Sequence, residues 1–548
     1  MSRRLGWLLL CLLPMLAAAQ DGNVELAWKT GQGNELLHLS TTQVLAREPL
    51  PVGLDTPLGS VWKLFVYAWL VDTGASEPAY ACHGQDKEEV YCCTAGTSIS
   101  RDDALVRSCS LYFAPQRLQL QAGAWRDYWQ ARQAPAWLSN LETLKPQTRV
   151  PVAELLQALA SLPAQQQARR VLLDVVVKAA DGEAVGNLGG RLRVKTWSWL
   201  GDHDAQSRQG GFAGWLADGT PLWVRGPGTS QMVLKHYAAA LSELLPATWP
   251  KDAGRCVEVS LFSRYPMQSL VQADGHDARP GALRGRYQVH FVNGNQLEIE
   301  SAGELFLQQD AGQPTLVARL DVEEYVARVL QREASPEPAE AAKALAVAIR
   351  TYLLQNAGRS GDCLSIDDSS TQQRVAPRPA SAQARTIAAW TSDLVLAGAN
   401  VTYHSDQAGP NKLSWRDAVE QAHAGSRYDL ILLRAYPRAS LSRWDNPIAS
   451  CQPLTEGQDW LVAQQPRWRE RLNNEVGYDE LHSFAVCRLA YGRPYVDRER
   501  QRIYVRGVLS LQDRLDLTHE YLHLAFEAHP NGQDENYIEG LARHLLLD

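Results

Sequence analysis

The alternation of apolar and polar positions changes character three times along the chain. The run from Leu64 to Val71 is apolar throughout and predicts a buried helix over residues 61–71. A further helix is predicted near 152–160. Residues 191–199 and 211–216 then alternate as strands do, with Asp218-Gly219 as a hairpin turn. The prolines from Pro246 to Pro250 break this pattern and mark a boundary. Beyond it, residues 286–292 and 296–300 flank Asn293-Gly294 and read as a hairpin, and residues 321–332 and 338–356 carry helical spacing. In a third segment, opening near 422–427, Leu515, Leu517, Leu522 and Phe526 are spaced to bury one side of a helix. Pro530 to Gly532 end that helix, and residues 536–547 form another.

Strand runs followed by helix runs predict a multidomain α+β fold, and 548 residues exceed what one core organises. The expected units are 20–250, 251–425 and 426–548, after a leader at 1–19. No internal repeat or low-complexity linker interrupts them.

Composition changes the picture mainly through compartment. Arg3 and Arg4, an apolar stretch from Leu5 to Leu16, and Ala17-Ala18-Ala19 read as a secretory signal peptide, too short to span a bilayer. Cys11 follows Leu10 rather than a small residue, which argues against lipid attachment. No later stretch approaches the length of a membrane helix, so the mature protein is expected to be periplasmic or secreted, without a transmembrane anchor. Export places the eight cysteines that remain after Cys11 in an oxidising compartment. One or two bridges are expected among Cys82, Cys92, Cys93 and Cys109, and another between Cys451 and Cys487. A net charge of −7 argues against a nucleic-acid partner. Seventeen tryptophans would suit sugar stacking if exposed, although most are expected in cores.

Three clusters carry candidate chemistry. In the first segment, Ser60-Val61-Trp62-Lys63 places an amine one helical turn from a hydroxyl. Apolar surroundings would favour a neutral Lys63 able to take the Ser60 proton. Ser108-Cys109-Ser110 and Lys195-Thr196-Trp197 follow in order. Together these motifs resemble the penicillin-recognising serine enzymes, the transpeptidases and β-lactamases. The resemblance implies Ser60 as nucleophile, Lys63 as base, Ser108 as proton relay and Lys195 as anchor for a substrate carboxylate. Ser110 stands where that family has Asn, and Trp197 where it has Gly, so an indole is expected to obstruct the strand along which substrate lies.

In the second segment, the stretch from Val329 through Glu333 to Pro336, that from Ala341 to Tyr352, Ser369-Ser370 to Gln373, and Val401 to Ser405 resemble the stage II sporulation protein D family. That family includes lytic transglycosylases acting on peptidoglycan glycan strands. The resemblance implies Glu333 as catalytic acid, with Arg350, Tyr403 and His404 lining the groove. A carboxyl at a crowded helix end, partly desolvated, can give its proton to a glycosidic oxygen. Asp406 to Gly409 replace the Ser-rich Gly-Gly stretch that follows the family's His.

In the third segment, His519-Glu520-Tyr521-Leu522-His523 puts two imidazoles on one helix face, able to reach one Zn²⁺. Glu520 then stands as general base beside a metal-bound water. The motif, with Glu539 on the following helix, is similar to gluzincin metallopeptidases, which implies Glu539 as third ligand. The whole chain resembles an exported Gram-negative family of the YfaQ type, whose domains are of unknown function.

Two of these resemblances point to peptidoglycan, as glycan strands or as stem peptides. The leading expectation is therefore a periplasmic wall-acting protein, in which Glu333 cleaves or grips glycan and Ser60 engages stem peptide. The alternatives are a zinc peptidase, acting on stem peptides or a periplasmic protein and targeted to the wall by its front domains, and a non-enzymatic wall-binding scaffold.

Overall fold

In a computed structural model, the chain is described from residue 23 to 547, apart from 84–88, 90, 91, 94, 95, 97, 180, 181, 201–207, 251–254, 311, 398, 399, 410, 411, 438, 446–451, 482, 483, 489–493, 498–500 and 528. The signal peptide and Cys451 lie outside the described residues.

The first domain is built on a six-stranded antiparallel sheet. Its order is Val44–Pro49, Gly33–Leu39, Val24–Thr30, Pro221–Pro227, Arg208–Leu216 and Leu192–Leu200. The earliest strands thus pair with the latest, closing the domain on itself. Helix Gln165–Val177 packs on the edge strand Leu192–Leu200. Against that helix lies the apolar helix Trp62–Thr73, buried on most sides, which stops where Gly74 takes a left-handed conformation. The predicted hairpin turn at Asp218-Gly219 is observed, with Gly219 at φ 91°. Two disulfides, Cys82–Cys93 and Cys92–Cys109, tie the cysteine-rich region together.

The second domain centres on a seven-stranded sheet. The predicted hairpin is its middle, Gly281–Phe291 against Gln296–Asp310, with Tyr287 opposite Ile299. Helix Val322–Glu333 packs on it, and helix Ala339–Asn356 packs on that helix in turn. Cys363–Asp367 pairs in parallel with Cys256–Leu261, which brings Cys256 and Cys363 into a disulfide that the sequence reading did not anticipate.

These two domains share one continuous apolar core, running from Val24 to Ala439. Gly190 makes the join possible: a Cβ there would fall 2.1 Å from the Ser392 carbonyl oxygen. Beside it, the fully buried Arg193 donates to Ser392 Oγ at 3.1 Å and to Asp393 Oδ2 at 3.0 Å, and Arg255 grips the other Asp393 oxygen. Tyr428–Ala435 and Ser440–Arg443, assigned from sequence to the third unit, belong to this larger body. The Tyr428 hydroxyl donates to Val185 O, and Arg443 pairs with Asp174.

A second, separate core joins Leu454 to Ala542. It contains a four-stranded sheet, helix Leu511–Ala525 and helix Glu535–Leu547. Ser510 and Asp513 form a reciprocal capping box at the start of the first helix. Cys487 is disulfide-bonded. Tryptophan is mostly interior: Trp125, Trp129, Trp197, Trp215 and Trp223 are all fully buried. Among the described residues no helix is long and apolar enough to cross a membrane.

Candidate functional site

Glu333 is the last residue of Val322–Glu333, a helix whose start is fixed by Asp321 accepting from the Glu324 amide at 2.8 Å. The carboxyl therefore sits at the negative end of the helix dipole, where ionisation is disfavoured. Oε1 accepts from the Arg374 amide at 2.7 Å. Oε2 is sealed from solvent and makes no close hydrogen bond among the described residues. Burial raises the Glu333 carboxyl above its ordinary 4.5; the Arg374 amide and the nearby Tyr403 phenol pull it back, and the charge of Asp368 pushes it up. A carboxyl raised in this way is biased toward the form that can donate a proton.

Its neighbours are held as firmly. Gln373 is fully buried and donates to Tyr403 Oη at 2.9 Å and to the Ile349 carbonyl at 3.2 Å, while accepting from Tyr325. Tyr403 thus accepts from Gln373 and keeps its own proton for Glu333. Asp368 accepts from the amides of Val375 at 3.0 Å and Phe262 at 3.4 Å. Gln373 closes a motif quoted from sequence, but neither it nor Asp368 was given a role there, because both act through loop contacts that spacing does not reveal.

One groove assignment needs correction. Arg350 does not line a groove: it is fully buried, forks onto Glu323, and donates to the Leu394 carbonyl at 2.9 Å. It braces the helices beneath the site. His404 is exposed, and its contacts are with Ser405 and with Asp406, 3.1 Å away.

In the first domain, Ser60, Lys63 and Ser108 lie together. Lys63 Nζ donates to Ser60 Oγ at 3.2 Å, to Ser108 Oγ at 3.0 Å and to the Ser108 carbonyl at 2.6 Å. Ser108 is left-handed at φ 63°, closing helix Arg101–Arg107, and the Cys92–Cys109 bridge anchors the next residue. Three acceptors match the three protons of an ammonium, so Lys63 is occupied as a donor. Lys195 is wholly buried rather than presented to a substrate carboxylate. Burial holds its amine well below the ordinary lysine range, and the charge of Lys63 lowers it further. Trp197, on the same face of the strand, is 1% exposed and lies so close to Gly59 that a Cβ there would stand 2.8 Å from it. The indole fills the space beside Ser60.

The third cluster converges too, with one change of partner. His519 Nε2 and His523 Nε2 lie 3.0 Å apart, and Glu535 Oε2 is 3.2 Å and 3.5 Å from them. His523 Nδ1 faces the Gly532 carbonyl at 2.9 Å and His519 Nδ1 faces Glu539 at 3.1 Å. Both Nε2 atoms and a carboxylate oxygen thus converge on one spot. Such an arrangement is relieved by a cation, and this donor set fits Zn²⁺ with a position left over. Among the described residues, Glu535 rather than Glu539 is the carboxylate that lies near both Nε2 atoms. Glu539 orients His519 and accepts from Arg543 at 2.8 Å. The exchange follows from the helix start: Asp534 caps the helix so that it begins at Glu535, one residue earlier than expected. Glu520 is buried on the same helix as both histidines.

Comparison with known proteins places these sites in context. Residues 310–421 match the stage II sporulation protein (SpoIID) family, and residues 84–206 and 411–531 match the family described as predicted secreted protein (DUF2300). Among solved structures, the chain is similar to a class A beta-lactamase, the last common ancestor of Gram-negative bacteria (GNCA4), at 14% identity and TM-score 0.28, covering 41% of this chain and 94% of that one. It is also similar to the transpeptidase domain of FtsI4 D,D-transpeptidase from Legionella pneumophila, at 14% identity and TM-score 0.26, covering 41% and 87%. The protein is thus a secreted α+β protein carrying a SpoIID domain, a domain type associated with the cell wall. It belongs to the family of the uncharacterized protein YfaQ of Escherichia coli (strain K12), with which it is 55% identical over the full length of both chains.

Proposed function

We propose that the protein acts on peptidoglycan outside the cytoplasm, with Glu333 as the general acid that protonates the glycosidic oxygen of a glycan strand. The observation that carries this reading is the Glu333 carboxyl, biased toward its protonated form by burial, with Oε1 held by the Arg374 amide and the Tyr403 phenol beside it. Tyr403 and Gln373 keep it aligned. The first domain, with Trp197 beside Ser60 and Lys195 sealed, supports the second domain without acyl transfer. Glu333→Gln removes the proton donor and keeps the shape, so release of soluble glycan fragments from purified peptidoglycan drops about 10²–10⁴-fold with an unchanged unfolding midpoint. Undiminished release by the variant would remove Glu333 from the reaction.

A second activity is favoured by the convergent Nε2 atoms of His519 and His523. In this reading the C-terminal domain holds Zn²⁺ through His519, His523 and Glu535. The ion would acidify a bound water, and Glu520 is the candidate to receive the water's proton. The substrate would be a peptide, either a wall stem or a periplasmic protein. Metal analysis of protein prepared without chelator is expected to give one zinc per chain, lost in His519→Ala and in Glu535→Ala. Glu539→Ala, which removes only the group behind His519, is expected to weaken binding about 10–100-fold. Metal-free wild type would defeat the assignment.

A further inference from the structure

Among the described residues, Tyr265 is the one aromatic side chain that is exposed, at 59%. It lies in a cleft of about 300 Å³ lined by Arg264, Tyr265, Pro266, Phe291, Val292 and Asn293. The cleft is built rather than incidental. Its two loops are tied by the Val292 amide donating to the Pro266 carbonyl at 3.0 Å, and its floor is an edge-to-face contact of Phe262 with Phe291. Phe262 holds a left-handed φ of 59°, a conformation that costs a bulky residue energy and marks a position fixed by its surroundings. Arg264 Nη2 donates to Thr371 Oγ1 at 2.8 Å, which ties this lining residue to the loop 368–375.

That same loop leads to the catalytic acid. Asp368 binds the Phe262 amide on the cleft side and the Val375 amide on the other, and Arg374, one residue earlier, binds Glu333. One loop therefore spans from the cleft to the carboxyl. A ligand that reaches both is extended, and one that uses an exposed ring, a guanidinium and an amide presents flat apolar faces edged by hydroxyl and carbonyl groups. Sugar rings have this character.

Resting on the reading of Glu333 as a glycan acid, we propose that the cleft around Tyr265 is a sugar-ring subsite, holding a stretch of the glycan strand remote from the bond being cleaved. It gives the protein a preference for long strands over short ones.

The test uses the full-length chain and peptide-free glycan oligosaccharides of defined length. In wild type, KM for an octasaccharide is expected to be lower than for a tetrasaccharide. Tyr265→Ala raises the octasaccharide KM on the order of tenfold, leaving kcat and the tetrasaccharide KM unchanged. Both side chains are exposed, so neither Tyr265→Ala nor Val292→Ser is expected to alter folding, and Val292→Ser should act in the same direction. Equal length dependence in wild type and both variants, with cleavage intact, overturns the subsite and spares the role of Glu333. No cleavage or binding of either oligosaccharide by wild type overturns both.

Discussion

Two clusters in the shared core of the front domains carry the residue types of catalysis, yet they differ in what surrounds the reactive atom. Around Glu333, the Arg374 amide holds one oxygen, the Tyr403 phenol lies close by, and burial raises the carboxyl's pKa. Around Ser60, Lys63 donates to three acceptors, Lys195 is sealed, and Trp197 is fully buried against Gly59. Both are rigid and largely buried. The difference is that one is arranged to exchange a proton with an incoming group and the other is arranged to satisfy itself. Hydrogen-bond saturation, more than motif identity, separates a site able to turn over from a retained framework.

Removing the obstruction is the strongest way to break this contrast. Trp197→Gly deletes a fully buried indole and is expected to cost about 3–5 kcal/mol in denaturant unfolding. In wild type, a fluorescent penicillin should leave Ser60 unlabelled; in the variant, labelling should emerge. Labelled wild type would show that the indole does not close the site. A folded but unlabelled variant would show that the committed Lys63, rather than access, silences Ser60.

A smaller effect tests whether the two clusters share one rigid body. Burial alone would raise Asp393, but Arg255, Arg193 and Arg350 outweigh it and hold the carboxyl at about 2. Folding thus favours the charged form. The contribution is complete above the unfolded value near 3.8 and is lost as pH falls toward 2. Asp393→Asn removes the carboxylate that Arg193 and Arg255 share, though Arg255 keeps Asp445 and Arg350 keeps Glu323. It is expected to cost about 2–3 kcal/mol at neutral pH, while removing this share of the acid sensitivity. If the domains dock independently of the pair, two unfolding transitions should emerge in the variant instead of one shifted transition.

Sequence reading reached these sites unevenly, for reasons that lie in distance along the chain. Ser60 and Lys63 stand one turn apart, and His519 and His523 four residues apart, so local geometry alone brings them together. The choice of Glu535 over Glu539 was out of reach, because residues four apart on one helix share a face and only the cap at Asp534 decides between them. Arg350 looked like a groove residue because its burial depends on Leu394 and Glu323, contacts made by tertiary packing. Cys256 and Cys363, 107 residues apart, meet only because their strands are parallel neighbours. The segment Tyr428–Arg443 was placed with the wrong body for the same reason: its apolar face says that it is buried, not against what.

The finest test of the contrast concerns Tyr403, which bears on Glu333 without touching Ser60. Burial sets the carboxyl high, and the Tyr403 phenol is one of the groups drawing it down. Tyr403→Phe removes that pull, so the Glu333 pKa rises further and the acid stays protonated to higher pH. The alkaline limb of the pH–rate profile for glycan cleavage is expected to move up by less than about one unit, with the plateau below it retained. Stability follows the same sign. A carboxyl whose folded pKa is raised binds its proton more tightly when folded, so its contribution is present at low pH and lost as pH rises through the folded value; in the variant that loss comes later. The Gln373 amide also loses an acceptor, at a cost of about 1 kcal/mol. A limb that moves to lower pH would mean that Tyr403 favours the protonated acid rather than the charged one, and the picture of Glu333 and its phenol neighbour would have to be redrawn.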